Sequence, residues 1–234
     1  MKPTDTVILI PAYKPDAALP PLCETLTSQG YSVLCVDDGS GSDFDHIFEK
    51  TASFATVLRY EQNRGKGGAL KHGFHHLLTD PAFADAGCVV TADADGQHKP
   101  EDIRRVSDAV EENGGAVLGV RLFTGKVPFR SRFGNALTRW VFALCSGLKI
   151  SDTQTGLRGF SRSLTAILAE EDGNRYEYEM NVLFRLAEDR IPVKEIPIAT
   201  VYENNNKGSH FNPVKDSARI YKAIFARRRN RRKR

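Results

Sequence analysis

Five short apolar runs rich in β-branched residues alternate with segments of helical pattern, and this alternation constrains the fold more than any other feature of the chain. The runs are TVILI (6–10), YSVLCV (31–36), ATVLRY (55–60), GCVVTA (87–92) and GAVLGV (115–120). The helical patterns lie at 16–29, 43–53, 66–79 and 100–113. Strands that are apolar on both faces and alternate with helices form a mainly parallel sheet with helices packed against it. The sequence therefore predicts an α/β domain with a Rossmann-like central sheet.

The alternation is looser in the second half of the chain. The predicted elements there are a helix at 130–148, a turn-rich loop at 151–160, a helix at 176–190, edge strands at 191–203 and a last helix from 213. The strands at 191–203 are placed at an edge because their prolines would interrupt a central ladder. We expect residues 1–210 to form the α/β domain, and 211–234 to form an amphipathic helix with a polybasic tail.

Polar and glycine-rich residues follow each predicted strand. In open parallel sheets, ligands bind beyond the carboxyl ends of the strands, so these residues are the candidates for a site. They are Pro11, Ala12 and Tyr13; Asp37, Asp38, Gly39 and Ser40; EQNRGKGGAL (61–70); DADGQH (93–98); and Arg121 with Leu122. Four aspartates are thus expected at one edge of the sheet.

Asp93 and Asp95 are the strongest candidates for metal ligands. Residues i and i+2 of an extended chain point the same way, so the two carboxylates converge, with Gln97 close behind. Hard oxygen ligands at this spacing suit Mg²⁺ or Mn²⁺, which keep some waters and bridge to substrate phosphates. A capped turn is the alternative, since Asp and Gly are turn residues, but VDDGS at the same edge favours a site.

Other common metal- and nucleotide-binding motifs are excluded by the residues at their key positions. An EF-hand loop starting at Asp93 needs glycine at position six and a carboxylate at position twelve, where this chain has His98 and Arg104. No GxGxxG follows the first strand, and GKGG (65–68) lacks the Ser/Thr of a phosphate-binding P-loop. None of the four cysteines lies in a CxxC pair, which argues against a zinc site.

Taken together, these motifs resemble family 2 glycosyltransferases with the GT-A fold. The resemblance covers about residues 5–210 and depends on ILIPAY, VLCVDDGS, NRGKGGAL, VVTADADGQH and SDTQTGLRGF occurring in this order. Within the family, DADGQH and the pair RSRFGNALT and SDTQTGLRGF are similar to the dolichyl- or polyprenyl-phosphate sugar synthases.

The resemblance implies a role for each matching residue. Those that would bind the nucleotide sugar are Pro11, Ala12, Tyr13, Asp37, Asp38, Arg64, Lys66, Gly67, Asp93, Lys207, Ser209 and His210. Those that would hold Mg²⁺ or Mn²⁺ are Asp93, Asp95 and Gln97. Those that would meet the acceptor phosphate are Arg121, Arg130, Ser131 and Arg132, and the catalytic set would be Asp93, Asp95, Arg121, Asp152 and Arg158.

The arginines favour a lipid-phosphate acceptor on chemical grounds. A hydroxyl acceptor needs a general base, whereas a phosphate monoester is largely dianionic at pH 7 and needs cations to hold it. Arginine forks match phosphate oxygens, and Arg121, Arg130, Arg132 and Arg158 are the candidates. The predicted reaction is an inverting, metal-dependent transfer from a nucleotide sugar, of the UDP-glucose or GDP-mannose type, to polyprenyl phosphate.

The positive charge of the chain is concentrated at its end. The formal net charge is +4, but the last eight residues hold seven bases; without them 26 bases face 29 acids. With the apolar stripe Ile220, Tyr221, Ile224 and Phe225, this tail predicts attachment to an anionic membrane surface, and nucleic acid is ranked last. We expect a cytoplasmic protein at the inner face of the membrane, with a GtrA-like membrane protein as a possible partner.

Two other functions stay open at this point. One is transfer to a soluble sugar or protein hydroxyl, with Asp152 or Glu179 as the general base. The other is a silent nucleotide-sugar-binding subunit that recruits a membrane partner. The DADGQ motif argues against the second, because a silent subunit has no need of metal ligands.

Overall fold

The computed structural model describes residues 5–121, 129–199 and 215–231. They form a seven-stranded sheet with helices on both faces. The strands are β1 (Thr6–Ala12), β2 (Ser32–Asp37), β3 (Thr56–Arg59), β4 (Cys88–Thr91), β5 (Ala116–Arg121), β6 (Arg158–Ser161) and β7 (Val193–Ile198). The helices are α1 (Leu19–Ser28), α2 (Asp45–Thr51), α3 (Lys66–Thr79), α4 (Pro100–Asn113), α5 (Phe129–Ser146), α6 (Thr165–Glu170), α7 (Glu177–Glu188) and α8 (Lys215–Arg231).

The strand order is β3-β2-β1-β4-β6-β5-β7. All neighbouring strands are parallel except β6, which pairs antiparallel with both β4 and β5. The predicted α/β class and mainly parallel sheet are therefore confirmed. The carboxyl ends of β1, β2, β4 and β5 lie at one edge, and the antiparallel β6 starts from that same edge.

Alternating side chains of the sheet enter two core layers. In β1, Val7 and Leu9 face α3 and α5 to α8, whereas Ile8 and Ile10 face α1, α2 and α4. This period of two is the ordinary geometry of a strand, and it explains why both faces of β1 must be apolar.

The prediction for residues 151–160 was wrong in its last three positions. Arg158–Ser161 is not loop but the strand β6, inserted between β4 and β5. The sequence hides it because it is short and carries a buried arginine and a glycine in place of β-branched residues. Gly159 is required there, since a Cβ would lie 2.4 Å from Val110 and 2.9 Å from Val106 of α4.

The final helix is present, but its apolar stripe is used in the fold. Ile220 and Ile224 of α8 are buried, and α8 packs against α5 and α7. The two isoleucines therefore cover the domain core rather than a membrane in this structure, and the side chain of Phe225 lies outside the described residues. The expected boundary at residue 210 also lies outside them. Within the described ranges, no helix is long and apolar enough to cross a membrane.

Candidate active site

The carboxylate of Asp38 fixes the loop that follows β3. One of its oxygens accepts from the Tyr60 hydroxyl at 2.6 Å and the Arg64 backbone N–H at 2.7 Å. The other accepts from Asn63 Nδ2 and the Gly65 backbone N–H, both at 2.8 Å. Four donors from one loop occupy this buried carboxylate, so Asp38 shapes the wall of the site.

Asp37 and Ser40 link neighbouring segments of the same edge. Asp37 accepts from the Ser40 backbone N–H at 2.8 Å and from Arg59 Nε at 3.0 Å. The Ser40 hydroxyl in turn accepts from the backbone N–H of Lys14 at 2.8 Å, which ties the segment after β2 to the segment after β1. The predicted residues Pro11, Ala12 and Tyr13 lie at this junction. Their contact with a nucleotide stays a prediction.

The glycine run at the start of α3 lets this helix approach α7 closely. A Cβ on Gly67 would lie 2.4 Å from Cβ of Tyr178, and the backbone N–H of Gly68 donates to the carbonyl of Asn174 at 2.8 Å. Only glycine fits at such a separation. The close approach carries Lys66, the first residue of α3, towards Glu179 of α7.

Lys66 lies between two carboxylates. Its Nζ is 2.7 Å from Asp93 Oδ1 and 3.0 Å from Glu179 Oε1. The other oxygen of Asp93 is 3.3 Å from His98 Nε2. Sequence reasoning did not foresee that Glu179 pairs with Lys66. Neither did it foresee that His98 contacts Asp93, although His98 is part of the DADGQH motif.

The charges of this cluster outweigh its burial. Burial would raise the pKa of Asp93, but Lys66 and His98 hold that pKa far below its usual range. Burial would likewise lower the pKa of Lys66, but Asp93 and Glu179 raise it. Asp95 behaves oppositely to Asp93: burial, and then the charge of Asp93, raise its pKa. Lys66 is therefore charged and Asp93 ionised at neutral pH, and the carboxylate of Asp95 is the second acid of the cluster.

The residues at this position fit a divalent cation that takes further ligands from a substrate. Among residues 5–121, 129–199 and 215–231, no three His, Cys, Asp or Glu side chains are grouped so as to hold a metal by themselves. Asp95 Oδ1 accepts from the Gln97 backbone N–H at 3.1 Å, which turns the chain back beside the carboxylates. Two carboxylates and an amide are an incomplete oxygen set, of the kind that Mg²⁺ or Mn²⁺ completes with water and phosphate.

Gly156 brings the loop between α5 and β6 against Asp93. A Cβ on Gly156 would lie 2.2 Å from Asp93 Oδ2 and 2.6 Å from its Cγ. The carbonyl of Gly156 accepts from the Thr91 hydroxyl at 2.9 Å, so this contact is fixed at the end of β4. This loop (147–157), which carries Asp152 and which we call the acceptor loop, therefore touches the predicted metal ligand Asp93. Only a residue without a side chain allows the contact.

Arg121 and Asp152 form a two-bonded ion pair at the end of β5. Arg121 Nε is 2.7 Å from Asp152 Oδ2, and its Nη2 is 3.1 Å from Oδ1. Oδ1 also accepts from the Gln154 backbone N–H at 3.1 Å. Asp152 is fully buried, whereas 29% of the Arg121 side chain is exposed. The aspartate orients the arginine, and the arginine reaches the surface.

Arg158 is buried and braces the same loop from inside. Its nitrogens donate to the carbonyls of Thr155 at 2.9 Å, Glu179 at 2.7 Å and Thr153 at 3.2 Å. These bonds hold the loop and α7 together, and a role on the acceptor stays a prediction.

Several predicted site residues fall outside the described structure. The backbone of Arg130, Ser131 and Arg132 belongs to α5, but their side chains lie outside the described residues. Lys207, Ser209 and His210 lie outside them altogether.

Comparisons with known proteins identify the family of the chain. The family model described as "Glycosyl transferase family 2" matches residues 7–167. A UDP-N-acetylglucosamine–dolichyl-phosphate N-acetylglucosaminyltransferase of Methanococcus voltae is 29% identical over 83% of this chain and 85% of its own. A polyprenol monophosphomannose synthase of Mycolicibacterium smegmatis is 26% identical over 85% of this chain and 78% of its own.

One solved structure shows how far the fold is shared. It is glucosyl-3-phosphoglycerate synthase from Mycobacterium tuberculosis, in complex with Mn²⁺, uridine diphosphate and glucosyl-3-phosphoglycerate. The TM-score is 0.71 over 95% of this chain and 79% of that one, at 17% identity. At this identity the similarity establishes the fold alone.

Proposed function

Because the chain belongs to glycosyl transferase family 2 and is a glycosyltransferase, we propose that it moves a sugar from a nucleotide sugar to a polyprenyl phosphate, with Mg²⁺ or Mn²⁺ bound at Asp93, Asp95 and Gln97. The named dolichyl- and polyprenyl-phosphate transferases among its relatives support this acceptor class. The single observation that carries the proposal is the Arg121–Asp152 pair.

This pair suits a phosphate acceptor better than a hydroxyl. A general base needs an oxygen that can reach the acceptor proton, but both Asp152 oxygens accept from Arg121 and the residue is fully buried. Glu179, the other candidate base, is bound to Lys66. A phosphate dianion needs no base, and an arginine whose side chain is partly exposed beside the loop is a suitable partner for it.

In the proposed reaction, a phosphate oxygen of the acceptor attacks the anomeric carbon, and the bond to the nucleoside diphosphate breaks with its electron pair. Arg121 holds the attacking phosphate, and Lys66 lies beside the leaving diphosphate. Asp93, Asp95 and Gln97 would hold a divalent cation, which when bound would supply Lewis-acid stabilisation of that leaving group. Gly156 lets the acceptor loop come close enough for an in-line approach, which inverts the anomeric configuration. No proton has to be removed by the protein.

A transfer assay tests the reaction class and the donor together. Labelled UDP- and GDP-sugars are supplied with Mn²⁺ or Mg²⁺ and polyprenyl phosphate, and organic-extractable label is counted. Label that disappears with chelator supports the proposal. Label that appears only in a water-soluble product indicates a soluble acceptor. Donor binding without any transfer indicates a recruiting subunit.

The variant Asp152→Asn separates a phosphate acceptor from a hydroxyl acceptor. If Asp152 only orients Arg121, kcat/KM for the acceptor falls about tenfold while the pH profile of kcat keeps its shape. If Asp152 is the base, kcat falls by about 10²–10⁴ and the acid limb of the profile is lost.

The proposed site of action is the inner face of the cytoplasmic membrane, where a polyprenyl phosphate would present its head group. The basic tail, with seven bases in the last eight residues, suits an anionic surface. The same tail is also proposed to dock on a GtrA-like membrane protein. Removal of residues 228–234 followed by vesicle co-sedimentation tests membrane binding by the tail.

A further inference from the structure

Helix α5 has a buried face and an exposed apolar face. Phe142 is buried and packs edge-to-face on Phe184 of α7, with ring centroids 4.8 Å apart. On the opposite face, Trp140 is 64% exposed and Leu144 is 60% exposed. The two are four residues apart and therefore adjacent on the helix. Among the described residues, Leu78 of α3 is the other exposed large apolar side chain.

The segment that contains this face has no acidic residue. Between residues 122 and 151 the chain has five bases and neither Asp nor Glu. Arg139 lies next to Trp140 and Lys149 follows the helix, and both are exposed. An exposed indole, a leucine and surrounding cations are the combination found where proteins meet the head groups of an anionic bilayer.

The position of α5 in the chain links this face to the site. The helix lies in the segment between Arg121, the last residue of β5, and Asp152, and these two residues are joined by the ion pair. A surface that contacts the membrane through α5 is thus attached at both ends to the residue proposed to hold the lipid phosphate.

We propose that the exposed face of α5, formed by Arg139, Trp140 and Leu144, docks on an anionic lipid bilayer. This inference rests on the proposed function, because docking of α5 would serve to bring the acceptor loop to the lipid phosphate. A second copy of the chain is the competing occupant. A two-fold contact would bring two copies of the acid-free segment together, and like charges in an interface are unfavourable.

Trp140 is the only tryptophan of the chain, so its fluorescence reports directly on this face. The full-length protein is mixed with vesicles of phosphatidylglycerol and phosphatidylcholine, or of phosphatidylcholine alone. The expected result is a blue shift of the emission and quenching by brominated lipid with the anionic vesicles, both weakened by added salt. Vesicle binding with unchanged emission would overturn the proposal, because another surface would then make the contact.

A double variant and a matched control complete the test. Trp140→Ser with Leu144→Ser should weaken co-sedimentation with anionic vesicles by on the order of tenfold or more, since apolar burial is lost. Leu78→Ser, an exposed apolar position on α3, should change it little. Equal binding by the double variant and the wild type contradicts the proposal. So does a concentration-dependent emission shift of the wild type without vesicles that is lost in the single variant Leu144→Ser, which keeps the tryptophan. That result would indicate a second copy.

Transfer assays with two acceptors distinguish failure of this proposal from failure of the proposed function. The double variant should transfer sugar to a short, water-soluble prenyl phosphate as the wild type does, but it should lose transfer to polyprenyl phosphate in vesicles. If the wild type transfers to neither acceptor, the proposed function fails, and the fluorescence result still decides what contacts α5.

Discussion

Two carboxylates at the same sheet edge, the buried Asp38 and the partly exposed Asp93, have opposite kinds of partner. Asp38, after β2, accepts hydrogen bonds from a tyrosine, an asparagine and two backbone N–H groups. Asp93, after β4, lies between the side chains of Lys66 and His98. The donors to Asp38 are neutral groups fixed in a loop, so they hold its carboxylate in one position. The partners of Asp93 are basic side chains, and another cation can take their place. The difference indicates that the proposed nucleotide wall is built in advance, whereas the proposed metal position is adjustable.

The largest expected effect separates the two aspartates by activity and by stability. Asp93→Asn should lower kcat by on the order of 10³-fold, because a proposed metal ligand is lost. It should lower the free energy of unfolding by less than Asp38→Asn does, because Glu179 still pairs with Lys66. Asp38→Asn should lower the free energy of unfolding by about 3 kcal/mol, because an amide cannot accept four hydrogen bonds. Transfer assays and urea denaturation measure both quantities. Equal losses of unfolding free energy in Asp93→Asn and Asp38→Asn would contradict the difference proposed between the two aspartates.

A second pair of variants tests the contact between the acceptor loop and Asp93. Gly156→Ala places a methyl group against the carboxylate and should lower kcat about 10²-fold, because the ligand must move. Gly159→Ala, three residues later, meets only Val106 and Val110 of the core. It should cost about 2 kcal/mol of stability and leave the activity per folded molecule unchanged. Loss of activity in both would show that any strain in this segment disturbs the site.

Glu179→Gln tests whether Lys66 is shared between two anions. With Glu179 neutral, the charge of Lys66 is balanced by Asp93 alone, so the lysine competes more strongly with a bound cation. Mn²⁺ binding, followed by electron paramagnetic resonance, should weaken about fivefold. The control is Glu177→Gln on the same helix, whose carboxylate accepts from the backbone of Asn174 and Arg175 and should not affect Mn²⁺ binding. Unchanged affinity for Glu179→Gln would mean that Lys66 does not compete.

The smallest effect concerns one hydrogen bond to Asp38, the one donated by the Tyr60 hydroxyl. Burial, and then the hydrogen bond to Asp38, raise the pKa of Tyr60 above its ordinary value. The unfolded tyrosine ionises near pH 10, so the stability that Tyr60 contributes is complete below about pH 10 and declines as the pH rises above it. Tyr60→Phe should cost about 1 kcal/mol at pH 8, and that difference should shrink above about pH 10. Parallel stability curves for the two proteins would contradict the assigned shift.

The donor half of the fold was predictable because each strand there is a buried apolar run followed by a motif. The limits of α3 and α4 agree with the patterns at 66–79 and 100–113. The strand β6 was not predictable, because a buried arginine and a close-packed glycine replace its β-branched residues. The burial of the apolar stripe of α8 against the domain was not predictable either. Periodicity shows that a helix has an apolar side but not what covers that side.

The candidate site was foreseeable in its residue types and not in its pairings. Asp93 and Asp95 follow from spacing alone, and Arg121 from its place after a strand. That Asp152 holds Arg121, and that Glu179 holds Lys66, depends on contacts across 31 and more than 100 positions of the chain. Such contacts are set by how α3, α7 and the loop before β6 pack, and local pattern carries no information about them.

The antiparallel direction of β6 has a consequence for how related chains can diverge. Because β5 ends and β6 begins at the same edge, everything between Arg121 and Arg158 is an excursion that leaves the sheet and returns to it at one place. An excursion of this kind can be lengthened, shortened or exchanged between relatives without altering the order of the seven strands. The segment proposed to bind the acceptor can therefore change without disturbing the strands that carry the proposed donor site, provided that a glycine remains at position 156, where the segment touches Asp93.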